Sequence, residues 1–215
     1  FSVPSWRIVM PSFLYLASQS PRRRQLLEQI HVRYELLLPD ATEDAEALEA
    51  VLPDETPLAY VQRVTHAKAQ AAWHRWQKRQ LPPAPILCAD TTVALDGHIL
   101  GKPADAADAA DMLNRLSGKR HEVLTALVLL DPVSGQCQQA CNVSEVWFDV
   151  LDAERIAAYI ATGEPFGKAG GYGIQGAAAT LVARINGSFS GIMGLPLFEL
   201  GQMLRTPSGA GQLVQ

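Results

Sequence analysis

Apolar residues along this chain fall into two rhythms: short unbroken runs, and longer segments in which they return every third or fourth position. The first run, Leu14–Leu16, predicts a short strand. Leu26, Leu27 and Ile30 then give an apolar face to a helix in which Ser20 suits the N-cap and Pro21 the first turn. A strand is expected over 34–38, stopped by Pro39, followed by an acidic loop over 40–55 with a short helix near 45–51. Thr56 and Pro57 open a long helix to about Lys78. Residues 86–89 read as a buried strand, and 92–95 with 99–100 as a hairpin across Asp96-Gly97. A helix over 105–116 closes at Ser117-Gly118, strands follow over 121–130 and 141–149, and Asp152 caps a helix ending near Gly163. Residues 180–185 and 188–192 read as a second hairpin across Asn186-Gly187, and 196–204 as the last helix. Hairpins interleaved with crossover helices predict an α/β fold: a mixed β-sheet flanked by helices.

With 215 residues, 48% hydrophobic and 19% charged, the chain has the make-up of an ordinary globular protein. The expected organisation is one domain over 10–207, an upstream extension or cloning remnant over 1–9 ahead of Met10, and a loose tail over 208–215. A net charge of −4 argues against a broad nucleic-acid or anionic-membrane surface, so any polyanion bound must be small and held by local positive charge. No segment approaches the roughly 20 apolar residues of a membrane span. The cysteines (Cys88, Cys137, Cys141) follow neither a CxxC nor a zinc-ligand pattern, which suits reduced thiols in the cytoplasm.

Six segments carry candidate chemistry. In Ser18-Gln19-Ser20-Pro21-Arg22-Arg23-Arg24 three arginines crowd a helix N-terminus, where cations oppose the dipole by roughly 0.3–1 kcal/mol each. Free N–H groups, serine hydroxyls and guanidinium forks suit a phosphate; a solvated basic helix start is the plainer alternative. Asp90 follows the apolar run Ile86-Leu87-Cys88-Ala89, where an ionised carboxylate is costly unless paired, solvated or metal-bound; a turn cap is the alternative. Lys68 lies on the stripe of Val61, Val64 and Ala71, either snorkelling to the rim of the core or reaching a phosphate. Glu43 and Asp44 in the acidic loop are a solvated run unless the loop folds over Asp90, where two carboxylates could share Mg²⁺. Lys102 stands on the stiff Gly101-Lys102-Pro103 turn. The glycine-rich run 168–176 offers Tyr172 for stacking and the Gln175 amide for reading a base, or is simply a flexible loop.

Taken in order and spacing, Leu16-Ala17-Ser18, Ser20-Pro21-Arg22-Arg23, Glu43, the 63–68 helix segment, Ala89-Asp90-Thr91, Gly101-Lys102-Pro103, Leu116-Ser117-Gly118, the 121–125 and 171–176 segments and Gly194-Leu195-Pro196 resemble the Maf family of nucleoside triphosphate pyrophosphatases. The resemblance implies an inosine-triphosphatase-like fold with two lobes around a central cleft. It also implies hydrolysis of a nucleoside triphosphate to the monophosphate and pyrophosphate with a divalent cation, Mg²⁺ or Mn²⁺. Asp90 matches the general-base position and, with Glu43, the metal site; Ser18, Ser20, Arg22, Arg23, Lys68 and Lys102 would hold the triphosphate. Arg22, Thr91 and Gln175 match the specificity positions of the subgroup acting on dTTP and UTP, whereas the 7-methyl-GTP subgroup carries a tryptophan where Pro21 stands. CTP or modified pyrimidine nucleotides are further candidate substrates. Competing expectations are 7-methyl-GTP or broad hydrolysis, and a nucleotide-sensing regulator of cell division without turnover. A homodimer is expected from the resemblance.

Overall fold

Leu14–Leu16 (β1), buried throughout, runs parallel to Tyr34–Leu36 (β2) on one side and to the start of Ile86–Leu95 (β3) on the other. The structure is a computed structural model in which residues 12–41, 43, 44 and 47–205 are described. The expected 1–9 extension and 208–215 tail lie outside them. His98–Leu100 (β4) folds back on β3 through Asp96 and Gly97, both at positive φ as a tight hairpin turn requires. Arg120–Leu130 (β5), Cys137–Phe148 (β6) and Val182–Asn186 (β7) continue the sheet in antiparallel fashion, in the order β2-β1-β3-β5-β6-β7. The sheet is thus mixed, with helices on both faces, which is the α/β class expected.

Side chains alternate across β3, and the two faces meet different helices. Leu87, Ala89 and Val93 pack into a core shared with Pro21–Gln29 (α1), Ala106–Leu116 (α3), Ala153–Ala161 (α4), Phe189–Met193 (α5) and Leu197–Arg205 (α6). Leu26 and Leu27 of α1 are buried there, each contributing about 1.5–3 kcal/mol. Ile86, Cys88 and Ala94 point the other way, into cores formed with Val61, Val64, Ala69 and Ala72 of Pro57–Lys78 (α2). Thr56 caps α2 by accepting the Ala59 N–H.

Three expectations need correction. The run 86–95 is one continuous strand, so Asp90 lies inside it rather than beyond its end. The second hairpin is absent: β7 pairs with β6, and Ser188 caps α5 by accepting the Gly191 N–H. A capping hydroxyl three residues before a donor outcompeted the Asn-Gly turn signal. In the acidic loop only a single 3₁₀ turn, Ala47–Glu49, is described.

What positions the site is a gap in the edge of β3. On one side β5 pairs with β3 from Ile86 to Ala94. On the other, β1 covers Ile86 and Leu87 while β4 covers Val93 to Leu95. Between them, residues 88–92 face no strand among the described residues, and a cavity opens there.

Candidate active site

The β1–α1 turn forms one wall of this cavity. Ser20 has the extended backbone of an N-cap, but its side chain makes no capping bond. Instead the Ser20 N–H donates to Ser18 Oγ at 3.2 Å, and the first N–H groups of α1 are left for another acceptor. The adjacent arginines then diverge, as helix neighbours must. Arg23 is consumed by the protein: Nε donates to the Gly194 carbonyl at 2.7 Å, Nη1 to Ser18 Oγ at 3.0 Å and Nη2 to Thr91 Oγ1 at 3.3 Å. Burial lowers its pKa and the Asp90 charge opposes that. Arg22 uses only Nε, on the Met193 carbonyl, and its terminal nitrogens have no protein partner among the described residues. Burial lowers the Arg22 pKa as well.

The gap in β3 supplies the carboxylate. Asp90 shares the face of Ile86 and Cys88 and so meets α2, whose Lys68 Nζ donates to Asp90 Oδ1 at 2.6 Å. The same ammonium donates to Glu49 Oε1 at 2.7 Å, and Lys102 Nζ donates to Glu49 Oε2 at 2.8 Å. Thr91, one residue on, faces the opposite side and joins Arg23 and Thr125. Burial together with the Asp90 and Glu49 charges pushes the nearby Tyr60 phenol up to about 12.

The third wall is the 167–175 run. Gly170, at φ 67°, donates its N–H to the Gly101 carbonyl at 2.9 Å, and any Cβ there would overlap Val93. This close approach joins the run to the turn that bears Lys102. Lys168 and Gln175 both cross Gly173, where an added Cβ would lie 3.0 Å from Lys168 Cε and 3.4 Å from Gln175 Nε2. Tyr172 is not available for stacking. Its hydroxyl meets His121 Nε2 at 2.8 Å and its ring packs edge-on against His121 and Phe148.

Ser18, Ser20, Arg22, Arg23, Glu43, Lys68, Asp90, Thr91, Lys102 and Gln175 therefore all line one cavity of about 690 Å³, a size that accepts a nucleotide. Their engagements differ. Both Glu43 oxygens are taken by Arg75, at 2.8 Å from Nε and 2.5 Å from Nη2, and the hydrogen bond from Arg75 holds the Glu43 carboxyl below its usual range. Glu49, which the sequence reading passed over, is the loop carboxylate in the same cluster as Asp90. Nothing local distinguishes it from the other acidic residues of the loop; its place is set by Arg63 and Tyr60 of α2. Arg63 bonds the Leu48 and Ala50 carbonyls and the Glu55 carboxylate, and the Tyr60 hydroxyl donates to the Glu49 carbonyl at 3.0 Å.

Among the described residues no three His, Cys, Asp or Glu side chains converge as a metal cage. Mg²⁺ asks for less: one or two carboxylates, with phosphate oxygens and water completing its shell. Asp90 offers one such carboxylate to the cavity: Lys68 Nζ engages Oδ1, and Oδ2 has no hydrogen-bond partner among the described residues.

A family model, Maf-like protein, matches residues 13–207. The chain belongs to the Maf family. A relative from Burkholderia pseudomallei (strain 1710b), named dTTP/UTP pyrophosphatase, is 62% identical over 193 residues, 90% of this chain and 92% of the relative. One of the same name from Ralstonia nicotianae is 63% identical over 191 residues, covering 89% and 92%. Another from Albidiferax ferrireducens is 56% identical over 197 residues, covering 92% and 98%. A solved nucleoside-triphosphatase / dITP/XTP pyrophosphatase from Mycobacterium abscessus shares 16% identity at a TM-score of 0.40, over 63% of this Maf chain and 73% of its own; at that score it adds nothing to the assignment.

Proposed function

We propose that this Maf protein hydrolyses dTTP and UTP to the monophosphate and pyrophosphate. The observation that carries the proposal is the meeting of Asp90, Lys68, Lys102, Arg22 and the uncapped start of α1 in one cavity at the gap along the edge of β3. A triphosphate needs several positive groups from different directions, and a hydrolase needs a carboxylate beside them. The relatives' name supplies the base preference.

Asp90 accepts a proton from a water whose oxygen bonds to the α-phosphorus. The bond from that phosphorus to the α–β bridging oxygen breaks, and pyrophosphate leaves with its electron pair. Lys68 orients Asp90, while Lys102 and Arg22 offset the charge building on the leaving group. Arg23 acts through Ser18 and Thr91, holding the turn in shape. A divalent cation, Mg²⁺ or Mn²⁺, would be held by Asp90 and supplies charge neutralisation at the phosphates when bound. Glu43 is the second candidate ligand and must leave Arg75 to serve. Gln175, with an acceptor and donors on one amide, matches the alternating carbonyl and N–H edge of uracil or thymine. The cytoplasm and a homodimer go with this proposal, the latter open to light scattering.

The test is pyrophosphate release from dTTP, UTP, CTP, GTP and 7-methyl-GTP, with and without Mg²⁺ or Mn²⁺. Preferential release from dTTP and UTP is expected. Equal turnover of GTP refutes the base preference, and tight binding without release refutes hydrolysis in favour of a sensor.

A further inference from the structure

Glu49 stands where a substrate phosphate is wanted. Its two oxygens accept from Lys68 and Lys102 at 2.7 and 2.8 Å, and these lysines come from α2 and from the turn after β4. A carboxylate that bridges two ammonium groups imitates a phosphate with two of its oxygens. The electrostatic sum agrees: Lys68 and Lys102 against Asp90 and Glu49 leave the cluster without net charge, a poor attractor for a polyanion. Removing Glu49 from the cluster raises it by one positive charge.

The surroundings permit that removal without opening the loop. Tyr60 and Arg63 hold the backbone on either side of Glu49 through the Leu48, Glu49 and Ala50 carbonyls. The side chain is about one-third exposed, at 29%, so a rotamer change carries the carboxylate towards water while the 3₁₀ turn stays anchored. Burial works to raise the Glu49 pKa and the hydrogen bonds from Lys102 and Lys68 outweigh it, so the group is an anion.

We propose that Glu49 is a resident anion of the phosphate pocket: it holds Lys68 and Lys102 in place before substrate arrives and yields both to the triphosphate. It is a positioning residue, and the proposal rests on the pyrophosphatase activity put forward above. Inorganic tripolyphosphate, titrated calorimetrically into the wild type, Glu49→Gln, Glu49→Asp and Lys102→Met with and without Mg²⁺, separates the two claims. Glu49→Gln is expected to bind about 3- to 10-fold tighter in both conditions, the scale of losing two partly exposed ion pairs. Glu49→Asp, one methylene too short to bridge both lysines, is expected to fall between. In turnover of dTTP, KM drops by a similar factor while kcat does not rise. If Lys102→Met loses binding but Glu49→Gln binds as the wild type does, the resident-anion role is overturned and the phosphate site stands. If Glu49→Gln weakens binding only when Mg²⁺ is present, Glu49 is a metal ligand and the proposal is again overturned. If neither the wild type nor any variant binds tripolyphosphate, the phosphate site itself falls and the proposal with it.

Discussion

Exchanging Asp90 for asparagine removes a charge and keeps a shape, which makes it the sharpest probe of the site. The amide oxygen can still accept from Lys68 Nζ, as Oδ1 does at 2.6 Å, and that ammonium keeps Glu49 at 2.7 Å. With side-chain exposures of 11% for Asp90 and 20% for Lys68, the pair lies between two regimes. Exposed pairs are worth about 0–1 kcal/mol and broken buried pairs cost about 3–5 kcal/mol. Because Lys68 retains one carboxylate, the lower regime governs, and a stability loss of about 1 kcal/mol, or roughly 2–4 °C in Tm for a chain of this size, is expected. Turnover should suffer far more. A positioned general base contributes on the order of 10²–10⁴ in rate, or about 2.7–5.5 kcal/mol of barrier. Pyrophosphate release from dTTP and thermal unfolding, measured on the same Asp90→Asn preparation, test the split. An unchanged kcat removes Asp90 from the chemistry; a Tm fall of tens of degrees alongside lost activity makes its role structural.

The two arginines give a second split. Arg22→Ala is expected to lower kcat/KM for dTTP by on the order of 10²-fold or more with little effect on Tm, since its guanidinium makes one protein hydrogen bond, through Nε to Met193, and leaves its terminal nitrogens for phosphate. Arg23→Ala is expected to cost about 2–4 kcal/mol of stability, through its bonds to Gly194, Ser18 and Thr91, as denaturant titration would read. His121 sets a pH dependence. Burial pushes its pKa from 6.5 to about 4, so the unfolded chain takes up the proton first. Stability is full above about pH 6.5 and declines towards pH 4 by up to about 3 kcal/mol, and His121→Phe should flatten that slope in urea titrations. Chelation is expected to stop pyrophosphate release and Mg²⁺ or Mn²⁺ to restore it; release unaffected by chelator would remove the cation from the reaction.

Much of this site could be read from the sequence because its key groups violate local rules. Asp90 interrupts an apolar strand, Lys68 interrupts an apolar helix stripe, and arginines crowd the wrong end of α1; each is a local cost that invites a partner. What could not be read has the opposite character. Glu49 is one acidic residue in an acidic loop, and its selection depends on Arg63 and Tyr60, more than ten residues away in the chain. Arg22 and Arg23 are alike in sequence, and only the direction each leaves α1 decides that Arg23 is bound by Gly194, Ser18 and Thr91 while Arg22, held through Nε by Met193, keeps its terminal nitrogens without a partner among the described residues. The false hairpin at Asn186-Gly187 has the same origin, since β7 finds its partner in β6 and frees Ser188 to cap a helix.

The gap in pairing along one edge of β3 explains why these groups can meet at all. In open α/β sheets reactive groups gather beyond the ends of strands, where chain connections diverge. Here β1 ends beside Leu87 and β4 ends beside Val93, so β3 behaves as if it had an end in its middle, while β5 holds its other edge in register from Ile86 to Ala94. A strand backbone fixed on one edge and open on the other places Asp90 rigidly yet within reach of solvent. Successive residues must point to opposite faces, so Asp90 goes to α2 and Lys68 while Thr91 goes to Arg23 and the start of α1. The two halves of the pocket are therefore locked to each other by a single peptide bond. A register slip of one residue in β3 would turn the carboxylate to the opposite face of the sheet and leave Ala89 or Thr91 opposite Lys68. The continuous pairing with β5 is what forbids that slip, which makes the site's geometry a consequence of the longest ladders in the sheet rather than of the loops that line it.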